Sequence, residues 1–224
     1  DEGELLLDEY ENLLGPRTKL VSMVHQSNAL GTINPVEQIV AMAHSRGVPV
    51  LLDGAQSAPH LPVDVRKLDC DFFVFSGHKL YGPSGSGAIW IRSDRQAEMR
   101  PFMGGGDMIR TVTREAVDYA DPPLRFEAGT PGIVNQIGLG AALQWYSAYD
   151  RAAVQAHEAA QLERVRERLS GLDWLTEIGT APGKGAIFTF TVDGAHAHDI
   201  AQIMDRYGVA VPAGLHCPEP LATR

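Results

Sequence analysis

The stretch Val50–Gly87, VLLDGAQSAPHLPVDVRKLDCDFFVFSGHKLYGPSGSG, decides the fold. Two short apolar runs, Val48–Leu52 and Phe72–Phe75, are each closed by a polar or Gly-containing turn, and a brief helical pattern around Val65–Leu68 lies between them. Apolar runs of this length bounded by turn residues read as buried strands. Beyond the Gly- and Pro-rich turn, Gly87–Ile91 (GAIWI) reads as a further strand.

Working outward, Lys19–Val24 (KLVSMV) reads as an earlier buried strand. Asn34-Pro35 then starts a helix that carries Ile39, Val40 and Ala43 inward and ends at Gly47. Strands alternating with helical stretches imply βαβ units, hence an α/β fold with a mostly parallel sheet and flanking helices. Between Pro101 and Pro131 the pattern dissolves into GGGDM and DPPLRFEAGTP, read as long functional loops or a subunit contact. Gly138–Tyr149, Ala152–Leu169 and Ala197–Tyr207 read as helices, Ala186–Val192 (AIFTFTV) as a strand and Val209–Val211 as a short one. The change of pattern near residue 150 sets the expected boundary between a large domain, 1–149, and a small α+β domain, 150–224.

Composition bounds the function. With 44% hydrophobic and 21% charged residues the chain has an ordinary globular make-up, and a net charge of -9 without basic clusters argues against a nucleic-acid partner. No apolar run is long enough for a membrane span and no signal peptide opens the chain, so the expected location is the cytoplasm. Cys70 and Cys217 cannot build a disulfide framework, which fits a reducing compartment. The chain opens with Asp inside an amphipathic segment, LLLDEYENLL, and is expected to be a piece of a longer protein.

Ligands of a parallel α/β sheet gather at the carboxyl ends of its strands. Three such ends are polar here: Ser27-Asn28, Asp53-Gly54-Ala55-Gln56 and Ser76-Gly77-His78-Lys79. Singly, each has an ordinary reading as a helix cap, a solvated charge or a structural histidine. Together they suit one cofactor chemistry. A lysine amine can form a Schiff base with an aldehyde, and an aspartate can keep a pyridine nitrogen protonated so that the ring accepts electrons. Those are the requirements of pyridoxal 5'-phosphate (PLP).

The same stretch, with HQSNALGTINP (25–35), GGGDMI (104–109), RFEAGTP (125–131) and GLHCPEPL (214–221), resembles the group II cysteine desulfurase and selenocysteine lyase family, class V aminotransferase relatives of the fold-type I PLP architecture. The resemblance implies that Lys79 carries the cofactor and that Asp53 pairs with its ring nitrogen. It assigns Gln56 to the ring hydroxyl oxygen, Ser76 and His78 to the phosphate, and Asn28 to the vicinity of cofactor and substrate carboxylate. Thr130 would reach the phosphate site of a neighbouring subunit, so a homodimer is implied. Cys217 would be the nucleophile that takes sulfur from L-cysteine, leaving L-alanine and an enzyme persulfide for an acceptor protein in iron–sulfur cluster assembly or related biosynthesis.

Two positions depart from that pattern: Pro212 stands where an Arg is usual, and Leu215 where a second His is usual. Pro cannot make the bidentate contact to a substrate carboxylate that Arg makes. L-selenocysteine as substrate, another class V reaction in which Cys217 is incidental, and a non-catalytic scaffold therefore stay open. No metal site is expected: His196-Ala-His198-Asp199 reads as a helix start, and no CxxC or HExxH spacing occurs. Gly104–Gly106 reads as a loop near the active site, not as a phosphate cradle.

Overall fold

In the computed structural model, which describes residues 2–214, the chain divides into two compact units. One comprises Leu7–His25 and Pro35–Ala152; the other comprises the residues before Leu7, Gln26–Asn34 and the chain from Ala153 onward.

The first unit is an α/β layer. Helix α1 (Leu7–Leu13) precedes β1 (Val21–Val24), α2 (Val36–His44), β2 (Val50–Asp53), the short helices α3 (Ser57–His60) and α4 (Val65–Leu68), β3 (Phe72–Ser76) and β4 (Gly87–Ile91). These strands form one sheet in the order β1-β2-β3-β4, with β1, β2 and β3 parallel and β4 antiparallel to β3. Register is tight: Val24 pairs with Asp53, and Asp53 with Val74, so the ends of β1 and β2 lie level. Helix α5 (Ser93–Glu98), a hairpin of β5 (Ile109–Val112) and β6 (Val117–Tyr119), and α6 (Ile133–Ser147) complete the unit.

Local sequence explains these elements. In α2, Val36, Ile39, Val40 and Ala43 are buried, the spacing of one helix face. Pro35 itself occupies the N-cap position, one residue earlier than the first helical turn. In α4 the Asp64 carboxylate accepts from the Arg66 and Lys67 amides at 2.9 and 3.3 Å, and Asp69, left-handed at φ 52°, ends the turn. Val50, Leu52, Phe73 and Cys70 are buried in the core, and burial pushes the Cys70 thiol up to about 11, the behaviour of a packed hydrophobe.

Asp71, fully buried, binds the sheet's amino ends together. Its Oδ2 accepts from the Val50 amide at 2.7 Å and lies 2.8 Å from His44 Nε2, while Oδ1 accepts from Arg95 Nε at 2.8 Å and faces Arg92 at 3.1 Å. Burial pushes its pKa upward, but the bonds from His44, Arg95 and Val50 and the Arg92 charge outweigh that and leave it below the ordinary carboxylate value.

The second unit begins its long helix α7 (Arg151–Leu169) with Ala153, and adds the antiparallel pair β7 (Leu175–Ile178) and β8 (Thr189–Val192) and the helix α8 (Ala197–Arg206). The Gln26–Asn34 turn belongs to it. Ser27 Oγ accepts from the Ala29 and Leu30 amides, the Gly185 amide donates to Gly31, and Thr189 Oγ1 donates to the Ala29 carbonyl. Buried Lys184 donates to Gly179 O at 2.6 Å and to Glu177, which Arg166 also grips with two nitrogens.

The structure corrects the element reading in four places. Val209–Val211 is not a strand: no described strand offers its backbone a partner, so β-branched propensity alone does not suffice. The irregular 101–131 region contains the β5–β6 hairpin, and β7 lies in a segment assigned no element. Helix α6 starts at Ile133, ahead of the expected Gly138. Among the described residues no helix is long and apolar enough to cross a membrane.

Asp71→Asn is expected to cost about 3–5 kcal/mol in urea denaturation, the range for breaking a buried charge network. Because the folded pKa of Asp71 is lowered, its ionised form stabilises the native state above the ordinary carboxylate value and that contribution is lost as pH falls through the lowered one. The variant should therefore lose stability less steeply than the parent in the acid limb.

Candidate active site

Parallel pairing of β1, β2 and β3 brings their carboxyl ends to one edge of the sheet, and each end leads into a polar turn. Asp53 is the last residue of β2. Its Oδ1 accepts from the Ala55 amide at 2.9 Å, and among the described residues its other oxygen has no hydrogen-bond partner. Ser76 is the last residue of β3, and the chain passes from it into a 3₁₀ turn, Gly77–Leu80, that carries His78 and Lys79.

The turns are shaped by close backbone approaches that exclude a side chain. A Cβ on Gly54 would lie 2.0 Å from the Phe73 ring, and one on Gly77 would lie 2.0 Å from Ser86 Oγ. The Gly77 amide donates to Ser86 O at 2.8 Å, and the Gly82 amide returns to Gly77 O at 2.9 Å. The Lys79 turn is thus closed on itself and tied through Gly77 to the residue before β4.

Within this frame, Gln56 and Ser76 make no side-chain cap to the turns they open. Among the described residues, His78 and Lys79 likewise have no side-chain hydrogen bond or ion pair. His78 is exposed, and Asp53, Gln56, Ser76 and Lys79 are half-buried. These groups, reachable by solvent and not committed to the fold, are free to engage a ligand at this sheet edge.

His25, one residue past β1, was not singled out in the sequence, though it occupies the same strand-end position as the turn after Asp53. It is buried, its amide donates to Asp53 O at 2.9 Å, and its Nδ1 lacks a partner among the described residues. Burial lowers its pKa against a smaller upward pull from Glu37, so the ring is neutral at pH 7. Ser57 Oγ is a second buried, unpartnered atom, directly after Gln56.

The remaining expected site residues belong to other segments. Asn28 is exposed in the turn that belongs to the second unit. Thr130 is exposed in the first unit, after Gly129, whose amide donates to Gly106 O at 3.0 Å. The GGGDM and RFEAGTP motifs are therefore packed together: a Cβ on Gly105 would lie 2.9 Å from Gly129 N. Cys217 and Leu215 lie outside the described residues, and Pro212 is exposed.

Residues 1–224 match the family model for aminotransferase class-V. A probable cysteine desulfurase of Xylella fastidiosa (strain 9a5c) is 42% identical over 219 residues, 98% of this chain and 53% of the relative, so the chain spans about half that protein's length. The apo structure of a cysteine desulfurase from Thermococcus onnurineus NA1 superposes with a TM-score of 0.92 at 35% identity, over 99% of this chain and 56% of the other. A C-DES mutant with glycine covalently linked to its PLP cofactor superposes with a TM-score of 0.80 at 28% identity, over 90% and 55%. These neighbours share the mostly parallel α/β fold of the PLP enzymes.

Gly54→Ala forces a methyl group into the Phe73 ring beside Asp53, and overpacking of this kind costs about 1–3 kcal/mol. Gly140→Ala, in the interior of α6 with nothing within 4 Å of its Cβ, should instead stabilise by about 0.5–1 kcal/mol. Urea midpoints of the two variants beside the parent test whether strand-end glycines are held by space or by chance.

Proposed function

Because this chain belongs to the class V aminotransferase family, we propose that the whole protein is a PLP-dependent cysteine desulfurase that converts L-cysteine to L-alanine. The observation that carries this reading is the set of partner-free groups at one sheet edge: Lys79, the open oxygen of Asp53, Gln56, Ser76 and His78. Their chemistry fits the cofactor group by group, with an amine for an aldehyde, a carboxylate for a protonated ring nitrogen, an amide for a ring oxygen, and a hydroxyl with an imidazole for a phosphate.

When bound, PLP supplies an aldehyde that the lysine amine can hold and a ring that accepts an electron pair from the substrate α-carbon. Lys79 would carry the cofactor and move the proton at that carbon. Asp53 holds the proton on the ring nitrogen; its orientation is fixed by the Ala55 amide. Gln56 orients the ring through its hydroxyl oxygen. Ser76 and His78 would bind the phosphate, and Asn28 would serve the cofactor and the substrate carboxylate. Thr130, exposed on its loop, serves the phosphate site of a second copy in a homodimer.

Cys217 acts as the nucleophile. Its thiolate attacks the substrate sulfur, a new S–S bond forms as the C–S bond breaks, and the released carbon takes a proton to become the methyl group of alanine. The persulfide passes to a sulfur-acceptor protein, for iron–sulfur cluster assembly or a related synthesis, in the cytoplasm. In domain terms, 1–149 is part of the PLP-binding large domain and 150–224 part of the small one.

The test uses the whole protein. Incubation with PLP, borohydride reduction and peptide mapping should place the adduct on Lys79, and Lys79→Ala should lose it. Asp53→Asn should retain the adduct but slow turnover by about 10²–10³-fold, the cost of removing one preorganised electrostatic contact. Cys217→Ser should bind PLP normally and release no sulfur from L-cysteine. An adduct on no lysine, in folded protein, would favour a non-catalytic scaffold, and unaltered turnover of Cys217→Ser would assign the chain to another reaction of the family.

A further inference from the structure

The 3₁₀ turn that carries Lys79 ends on a residue in an unfavourable backbone state. Tyr81 caps it at φ 63°, ψ 8°, in the left-handed region, and its amide donates to Gly77 O. A bulky side chain adopts that conformation only where its surroundings over-determine it. Glycine would meet the backbone demand without strain. Nor does burial account for the tyrosine, because it is 62% exposed.

What the ring does is make contacts. Its centroid lies 5.3 Å from that of Trp145 at an interplanar angle of 74°, and 5.4 Å from that of Tyr146 at 55°, both within the favourable range for aromatic pairs. Tyr146 is itself fastened: it is buried, its hydroxyl donates to Pro59 O, and the Arg151 guanidinium sits 4.1 Å from its ring centre. The same guanidinium donates to Ala58 O and Leu61 O, each at 2.8 Å. The segment Ala58–Leu61 follows Asp53–Gln56 with only Ser57 between them. One aromatic cluster on α6 therefore ties the turn of Asp53 and Gln56 to the turn of Lys79.

Packing leaves this cluster little freedom. A Cβ on Gly138 of α6 would lie 2.6 Å from Pro83 Cγ, and one on Gly82 would lie 3.0 Å from Leu139 Cδ1. Helix α6 thus presses on the residues immediately after Tyr81. A 3₁₀ turn has weak internal hydrogen bonding, so its geometry depends on such external contacts.

We propose that Tyr81 is a positioning residue: its ring, clasped by Trp145 and Tyr146, fixes the turn that aims the Lys79 amine at the site. The proposal rests on the reading of Lys79 as the cofactor-bearing lysine. The tyrosine hydroxyl has no partner among the described residues, so the ring alone does the work and phenylalanine can replace it.

The test uses the whole protein in two arms. In the first, with PLP removed, the rate at which acetic anhydride labels Lys79 is measured by mass spectrometry, together with thermal stability. In the second, PLP is added back, and its dissociation constant and the pH dependence of its absorbance are read. Tyr81→Gly relieves the backbone strain but removes the ring. It is expected to keep or raise the melting temperature, change the Lys79 labelling rate by about three- to tenfold, weaken PLP binding by about the same factor and shift the absorbance titration. Tyr81→Phe should restore all of these to the parent values. Should Tyr81→Gly fail to fold, Trp145→Ala leaves the Tyr81 backbone intact and should change Lys79 labelling in the same way. Labelling within twofold of the parent in a folded variant lacking either ring contact overturns the proposal. Absence of a borohydride-trapped adduct on Lys79 in the parent overturns the cofactor reading instead, and the labelling arm still decides whether the ring holds the lysine.

Discussion

The buried carboxylate of Asp71 is the constraint on which the sheet depends. It sits immediately before β3 with no exposure to solvent, and both oxygens are engaged by groups from β2, α2, α5 and Arg92 directly after β4. A fully desolvated charge tolerates no slippage, because any shift of β3 against β2 would strand it without donors. Register is thereby set at one end of the sheet, and the pairing of Asp53 with Val74 at the other end follows from it. A slip of one residue would turn Asp53 to the opposite face.

From that register the site's shape follows by exclusion of volume. Gly54 lets Phe73 of the neighbouring strand lie against the backbone beside Asp53, and Gly77 does the same for the chain entering β4. The two turns are held at their backbones, while among the described residues Lys79, His78 and one oxygen of Asp53 are left unengaged. Such an arrangement trades local stability for available donors and acceptors, a common condition of a site prepared for a ligand.

Much of this was readable from residues near one another in the chain. The strands β1 to β4 announced themselves as short apolar runs, and the strand-end polar residues followed from the α/β rule. The antiparallel course of β4 was not read, although the few residues between Ser76 and Gly87 leave no room for a crossover helix. What escaped was tertiary. The β5–β6 hairpin has an exposed, charge-bearing sequence with no buried face to produce alternation. Asp71 looked like the edge of an apolar run because His44, Arg92 and Arg95 lie more than twenty residues away. Tyr81 read as one letter of a motif; its left-handed backbone and its ring partners on α6 have no local signature. The attachment of Gln26–Asn34 to the later unit is likewise a matter of contacts, not of pattern.

Two aspartates on adjacent strands show how environment divides labour between identical side chains. Asp71 has every acceptor position engaged and its charge fixed by cations, so nothing remains with which it could act on a ligand. Asp53 has one oxygen held by the Ala55 amide, which orients it, and one left open at the carboxyl end of the sheet. Exchanging the two environments would ruin both roles: an unpaired carboxylate at the Asp71 position would destabilise the fold, and a fully paired one at the Asp53 position would be chemically silent. The unequal satisfaction of like groups, more than their presence in a motif, separates the closed end of this sheet from its open one.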